Sequence, residues 1–280
     1  MNNKAERVQE EIEHQARRAA TIDEVRPTPD YVIERYRRNS LWWVFPKEMV
    51  FRSLQDASAK EVLDFGGGEG EISTQLARLG ARVTGVDISP DLIRIATRRA
   101  ELDGVRERTE FFACNILESP LPENRFDAIV CYAVLHHVDI QKVLPLLCSC
   151  LKPGGLAVIV EPLGLSPWLQ KVRRLVPVAR DSSPVERPLN REELNSIRQA
   201  FTDPQVTYYE LLSRLQLLLP NRNKIDRGHP FTKAAMVLLG GLDRLLLTLF
   251  PFLSTYSGVV VIVGRRPFPD PQKTPQFSLS

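Results

Sequence analysis

From residue 60 onward, short apolar runs alternate with stretches whose apolar positions recur at helical spacing. "EVLDF" is a strand. "EISTQLARLG" places Ile72, Leu76 and Leu79 on one helical face and stops at Gly80. "ARVTGVD" is the next strand. "SPDLIRIATRRAELDG" follows as a helix, with Ser89 as N-cap, Pro90 in the first turn and Gly104 at its end. "TEFFACN" and "FDAIVCYAV" are strands, "DIQKVLPLLCSCL" a helix and "GGLAVIVEP" another strand. Strands alternating with helices at this spacing predict an α/β, doubly wound parallel sheet covered on both faces. The continuous apolar runs fit strands buried on both sides.

The flanks obey a different rhythm. Residues 1–20 predict a polar, exposed helix. "TPDYVIERYRRNSLWWVFPKEMVFRSL" predicts one or two helices whose aromatics, among them Tyr36, Trp42, Trp43 and Phe45, pack on the next unit. After Pro162 the chain turns irregular and proline-rich. "LNREELNSIRQAF" predicts a helix capped by Asn190 with Glu193 three residues on. "QVTYYELLSRLQL" supplies a further strand and Val259–Val263 the final one. The division is 1–55 as an N-terminal helical extension or lid and 56–165 as the core. Residues 166–280 form the rest of the same domain, with substrate-side insertions. Between the last two strands lies "FTKAAMVLLGGLDRLLLTLFPFL", residues 231–253. Asp243 and Arg244 near its middle argue against a bilayer span. Lys233, Gly240, Arg244 and Thr248 form a narrow polar stripe, and the remainder is apolar. Burial is the favoured expectation. The alternative is peripheral membrane contact, or contact with a lipid-like substrate.

Composition narrows the classes. The 280 residues are 43% hydrophobic and 25% charged, with a net charge of +3. This mild basicity is too weak to imply a nucleic-acid partner, and none is expected. The charged N-terminus has no apolar h-region. The four cysteines have neither zinc spacing nor a second pair, so the expectation is a reduced, cytoplasmic protein.

The candidate chemistry lies in "LDFGGGEG". A strand ending in a glycine turn brings backbone N–H groups close to a ligand. A dinucleotide fingerprint needs a glycine where this chain has Glu71. Asp64, just before the glycines, suits a cationic ligand better than a pyrophosphate. The stretch resembles motif I of class I S-adenosylmethionine-dependent methyltransferases, of the type 11, small-molecule kind. Four further segments match that family in order: "VTGVDIS", "ACNILESPLP", "FDAIVCYAVLHHV" and "LKPGGLAVIVEP". The resemblance covers about residues 55–165 and the final strand. It implies a Rossmann-like, seven-stranded, mostly parallel sheet with the last strand antiparallel. The cofactor implied is S-adenosylmethionine.

Cofactor-binding positions then follow: Asp64, Gly66, Gly67, Gly68 and Gly70 in the first motif, and Asp87 for the ribose hydroxyls with Ile88 beside the adenine. Asn115 replaces an acid that is frequent in the family, though its amide oxygen still accepts from an amino group. Ile116, Cys131 and Tyr132 complete the set.

His136 and His137 are the catalytic candidates, His136 preferred, because Leu135 and Val138 are expected to turn into the fold. Both also have an architectural reading. Ubiquinone-pathway O-methyltransferases are similar in this stretch but carry two acids and a histidine implicated in metal binding. Ala133, His136 and His137 stand there instead, so no metal is expected. Tyr36, Trp42 and Arg180 are substrate candidates. The expected reaction is methylation of a small or lipid-like acceptor, at O in preference to N. The rivals are an RNA or protein methyltransferase, a non-catalytic S-adenosylmethionine-binding protein, and an NAD(P)-dependent oxidoreductase, whose third glycine and catalytic Tyr/Lys pair are missing.

Overall fold

The computed structural model describes residues 2–22, 24–37, 45–119, 121–167, 171, 187–218 and 230–268. Seven strands form one sheet: β1 (Glu61–Phe65), β2 (Arg82–Asp87), β3 (Thr109–Ala113), β4 (Phe126–Tyr132), β5 (Leu151–Pro162), β6 (Thr202–Tyr209) and β7 (Val259–Arg265). Their order is β3-β2-β1-β4-β5-β7-β6. Pairings from β3 through β5 are parallel, and β7 runs antiparallel to both β5 and β6. The doubly wound expectation holds, including the antiparallel last strand.

Helices α1 (Asn2–Ala20), α2 (Asp30–Arg37) and α3 (Pro46–Ser53) precede the sheet. Helices α4 (Glu71–Arg78), α5 (Pro90–Leu102) and α6 (Ile140–Cys150) are the crossovers. Helices α7 (Arg191–Ala200) and α8 (Pro230–Leu249) flank β6. The caps form as their residues dictate. Ser89 accepts from the Leu92 N–H, and Asn190 and Glu193 close a capping box.

Strand alternation builds a core on each face. Along β5, Ala157 and Ile159 join the cluster shared with Leu147 of α6 and Ile197 of α7. Val158 and Val160 join the opposite cluster, with Phe51 of α3 and Leu76 of α4. The strand order reverses between β1 and β4. In doubly wound sheets that reversal opens a crevice at the carboxyl ends of the strands, and the turns after β1 and β4 lie there.

Helix α8 departs from the favoured expectation of burial. Met236, Gly240 and Asp243 face inward, whereas Leu238 (73% exposed), Leu242, Leu245 and Leu249 form an outward apolar row. The reason is the buried Asp243. It accepts from the N–H groups of Leu211 at 3.0 Å, Leu212 at 2.6 Å and Ser213 at 3.1 Å, and from the Ser213 hydroxyl at 2.6 Å. Those donors after β6 fix which face of the helix turns in, because a buried carboxylate needs partners. Among the described residues, no helix is long and apolar enough to cross a membrane.

Candidate cofactor and acceptor cavity

A cavity of about 920 Å³ opens at the strand reversal. Its floor is the turn after β1. Gly66 (φ +70°), Gly68 (φ +54°) and Gly70 (φ +73°) are left-handed, a conformation that side chains disfavour. The Gly66 and Gly67 N–H groups donate to the Val86 carbonyl at 2.8 and 3.0 Å, tying the turn to β2. A side chain at Gly67 would press on Asp64, and one at Gly66 would overlap Val134. Nothing lies within 4 Å of where a Gly68 side chain would project, so the backbone there is open to a ligand.

Two carboxylates flank this turn. Asp64, buried at the end of β1, accepts from the Ser73 hydroxyl at 2.6 Å. Burial, aided by the nearby Asp87, pushes its carboxyl up to about 6 despite that hydrogen bond. A cation placed here would relieve that cost. Asp87 ends β2 and accepts from Gly68 N–H at 3.0 Å and Ser89 N–H at 2.9 Å. Burial also raises its carboxyl, against those two donors. A carboxylate offers about four lone-pair sites, so Asp87 retains capacity for a diol. Ile88, Leu92 and Ile116 supply apolar wall beside it. A ligand with a cationic end, a vicinal diol and a flat apolar ring fits this order of groups.

Asn115 lines the cavity, but its amide oxygen accepts from Leu117 N–H at 3.1 Å and its amide nitrogen donates to Glu118 at 2.9 Å. Tyr132 lines the cavity from the end of β4, and burial holds its phenol far above the ordinary range.

Beyond Tyr132, the chain makes a sharp turn. Ala133 has φ +54°, rare for a residue with a side chain. His136 and His137 follow in a 3-10 turn, their ring centroids 4.1 Å apart, and both line the cavity. His136 Nδ1 is 2.7 Å from Glu161 Oε2. His137 Nδ1 is 3.3 Å from Glu11 Oε2 of α1. As expected, Leu135 is fully buried. Val138 is half-buried: it packs against the same core cluster, as expected, and also forms cavity wall.

Three other positions differ from expectation. Gly70 does not line the cavity. It is the left-handed N-cap of α4, and a side chain there would strike Ala96 of α5. Cys131 points into the core cluster beside Ile129, since β4 alternates and Tyr132 takes the outer side. Tyr36 is 4% exposed and stacks on Phe51 at 3.7 Å, so it packs α2 on α3 rather than meeting substrate. Trp42 and Arg180 lie outside the described residues.

Sequence reasoning missed other wall residues. Helix α1, expected as a solvated helix, packs on α5 and directs Glu11, Gln15 and Arg18 into the cavity. Arg18 and Arg99 both reach Glu69 of the glycine turn, at 3.4 and 2.7 Å. Lys47 of α3 pairs with Glu71 at 2.6 Å. Burial would raise the Glu71 carboxyl, but Lys47 overrides it and holds it low. Arg187 and Asn190, before α7, close the far side. Among the described residues that line the cavity, Arg187 comes from the irregular stretch before α7 and none comes from α8. Glu161 was also missed. Its signal was legible: an acid closing an apolar strand, as Asp64 and Asp87 do.

Residues 62–155 match the family described as "Methyltransferase domain". This span runs from β1 into β5, so the match covers the core of the sheet and the glycine turn, the part of the chain that is similar to methyltransferases. A ubiquinone biosynthesis O-methyltransferase of Schizosaccharomyces pombe is 41% identical over 112 residues, 39% of this chain and 40% of that protein. A demethylmenaquinone methyltransferase of Tropheryma whipplei is 34% identical over 144 residues, 49% of this chain and 59% of that one. The chain thus spans about half the length of these curated relatives. Among solved structures, Haemonchus contortus phosphoethanolamine N-methyltransferase 2 with S-adenosyl-L-methionine superposes with a TM-score of 0.55. It is 20% identical and covers 80% of this chain and 53% of its own. At that identity the likeness is one of fold.

Proposed function

We propose that this chain binds S-adenosylmethionine and transfers its methyl group to a small or lipid-like acceptor, at oxygen in preference to nitrogen. The observation that carries the reading is a pair of carboxylates, Asp64 and Asp87, on either side of an open glycine turn, with His136 in the same cavity. Asp64 offsets the positive charge of the methionine end. Asp87 receives the ribose hydroxyls, and Ile88 and Ile116 hold the adenine by apolar contact. Bound there, the sulfonium supplies an already activated methyl, and the chain's contribution is alignment and proton removal. Tyr132 and Val138 exclude water near the reacting end, and His136 takes the proton of an acceptor hydroxyl. The names of the two curated relatives support a quinone-like acceptor.

Calorimetry with S-adenosylmethionine and a labelled-methyl transfer screen against aqueous and lipid extract fractions test this together. Saturable cofactor binding and label in one fraction are expected. Equal affinity for NAD, or no labelled product in any fraction, sinks the reading.

The exposed leucine row of α8 supports a second element: contact with a membrane surface. Phe252 and Tyr256, also exposed, follow it in the turn leading to β7. The buried Asp243 ties this helix to the segment after β6, at the end of the sheet where the cavity opens. An apolar row at that end suits an acceptor drawn from lipid. Leu238→Glu with Leu245→Glu should abolish sedimentation with phospholipid vesicles while leaving cofactor affinity unchanged. Retained sedimentation removes this element alone.

A further inference from the structure

Glu161, at the carboxyl end of β5, is completely buried, and its two oxygens serve different partners. Oε1 accepts from the Val134 N–H at 2.9 Å and the Leu135 N–H at 2.7 Å. Oε2 faces His136 Nδ1 at 2.7 Å. A carboxylate only accepts. The hydrogen between Oε2 and the imidazole therefore sits on Nδ1. In the neutral ring the lone pair is then left on Nε2. We propose that Glu161 is a positioning residue that locks His136 in its Nδ1–H tautomer and so makes Nε2 the proton-accepting atom at the cavity.

The same side chain holds the turn that aims the ring. Two consecutive backbone N–H groups donate to one carboxylate oxygen just after Ala133, whose positive φ forces the chain to reverse. Position and tautomer of His136 thus depend on one buried acid. The tautomer is argued from the contact with Glu161. Only the use of Nε2 as a base rests on the methyl-transfer reading above.

Glu161→Gln separates the two duties. Val134 and Leu135 are donors, so the amide oxygen must take the Oε1 place. The amide NH2 then faces His136 Nδ1, which can only accept from it, and the ring hydrogen moves to Nε2. The variant keeps the turn and inverts the ring. Glu161→Asp retracts the carboxylate by one methylene and loses contacts of both kinds.

The test is nitrogen-15 NMR of the full chain with labelled histidine, with His136→Ala and His137→Ala assigning the adjacent signals. The native protein should show Nδ1 protonated and Nε2 bare at His136, and Glu161→Gln should show the reverse. In transfer assays Glu161→Gln should lower kcat about as far as His136→Ala does, about 100-fold or more, with cofactor affinity nearly unchanged. A native His136 protonated on Nε2 overturns the proposal, and this reading needs no variant to fold. An unchanged tautomer in Glu161→Gln, or full kcat, overturns it also. The expected tautomers with no methylated acceptor would leave the proposal standing and remove the methyl-transfer reading instead.

Discussion

The turns after β1 and β4 lie on either side of the strand reversal, and each is held by an acid from the end of a neighbouring strand. Asp87 of β2 receives the Gly68 N–H across the first turn. Glu161 of β5 receives the Val134 and Leu135 N–H groups across the second. The device is the same and the outcome differs. Asp87 lines the cavity, and the stretch it steadies, Gly66 to Gly68, carries no side chain, so backbone and carboxylate both remain available to a ligand. Glu161 is sealed from solvent, and the turn it steadies presents two imidazoles. In the function proposed above, one side of the reversal holds the ligand and the other presents a proton acceptor. What a strand-end acid does depends on what the neighbouring turn carries.

If this division is right, damage to the two sides should separate in kinetics. His136→Ala should lower kcat by about 100-fold or more while the cofactor dissociation constant stays nearly constant, as loss of a general base requires. An equal loss in affinity would show that the second turn also holds cofactor. Asp87→Ala should do the opposite. It removes the acceptor for Gly68, for Ser89 and for the ribose, and should weaken binding about 100-fold, since each hydrogen bond to a charged group contributes roughly 1.5–3 kcal/mol. Unchanged affinity in calorimetry would end the assignment of Asp87.

The two sides touch at Gly66, and that contact sharpens the comparison further. Gly66→Ala places a methyl on Val134 and an ordinary residue at φ +70°. It should cost about 2–3 kcal/mol in denaturant unfolding, from overpacking and strain together. Adding Val134→Ala should recover the overpacking part and leave the strain. Equal stability of the single and double variants would show that the turns are independent.

The smallest effect is a pH dependence. The Asp64 carboxyl is raised to about 6, so the folded ligand-free protein holds this proton more tightly than the unfolded chain does. Its buried charge therefore opposes folding most fully above pH 6, and that cost disappears as the pH falls through 6 toward the ordinary carboxylate range. A cationic cofactor favours the ionised form. Affinity should be flat above pH 6 and fall below it, by at most about tenfold per unit. Asp64→Asn should flatten the profile and weaken binding at neutral pH. A profile still sloping in that variant would assign the proton to another group.

The glycine turn was legible because its partners are near in sequence. Asp64 and Ser73 are 9 residues apart, and Gly68 and Asp87 are 19 apart. One strand-turn-helix-strand unit contains them, and its spacing is fixed by backbone geometry. The His136–Glu161 contact spans 25 residues and a crossover helix. Its members could be named singly, but their meeting depends on the β4–β5 register. Helix α1 is harder still. Its polar sequence satisfies a solvated helix as well as a cavity wall, and only its packing on α5 directs Glu11 and Arg18 inward. The amphipathic pattern of α8 left its inner face undecided, because a leucine-rich helix can bury almost any side.

By itself, the sequence determined the alternating sheet and its crossovers, the glycine turn, and the acids that end β1 and β2. Hydrophobic period, left-handed glycines and strand ends are local properties, written within a few residues of where they act. Tertiary structure alone decided that Tyr36 and Cys131 serve the core, that Asp243 turns a leucine row outward, and that Glu161 meets His136. Each of those outcomes is settled by which distant group must be buried or must find a hydrogen-bond partner. That requirement exists only once the elements are packed.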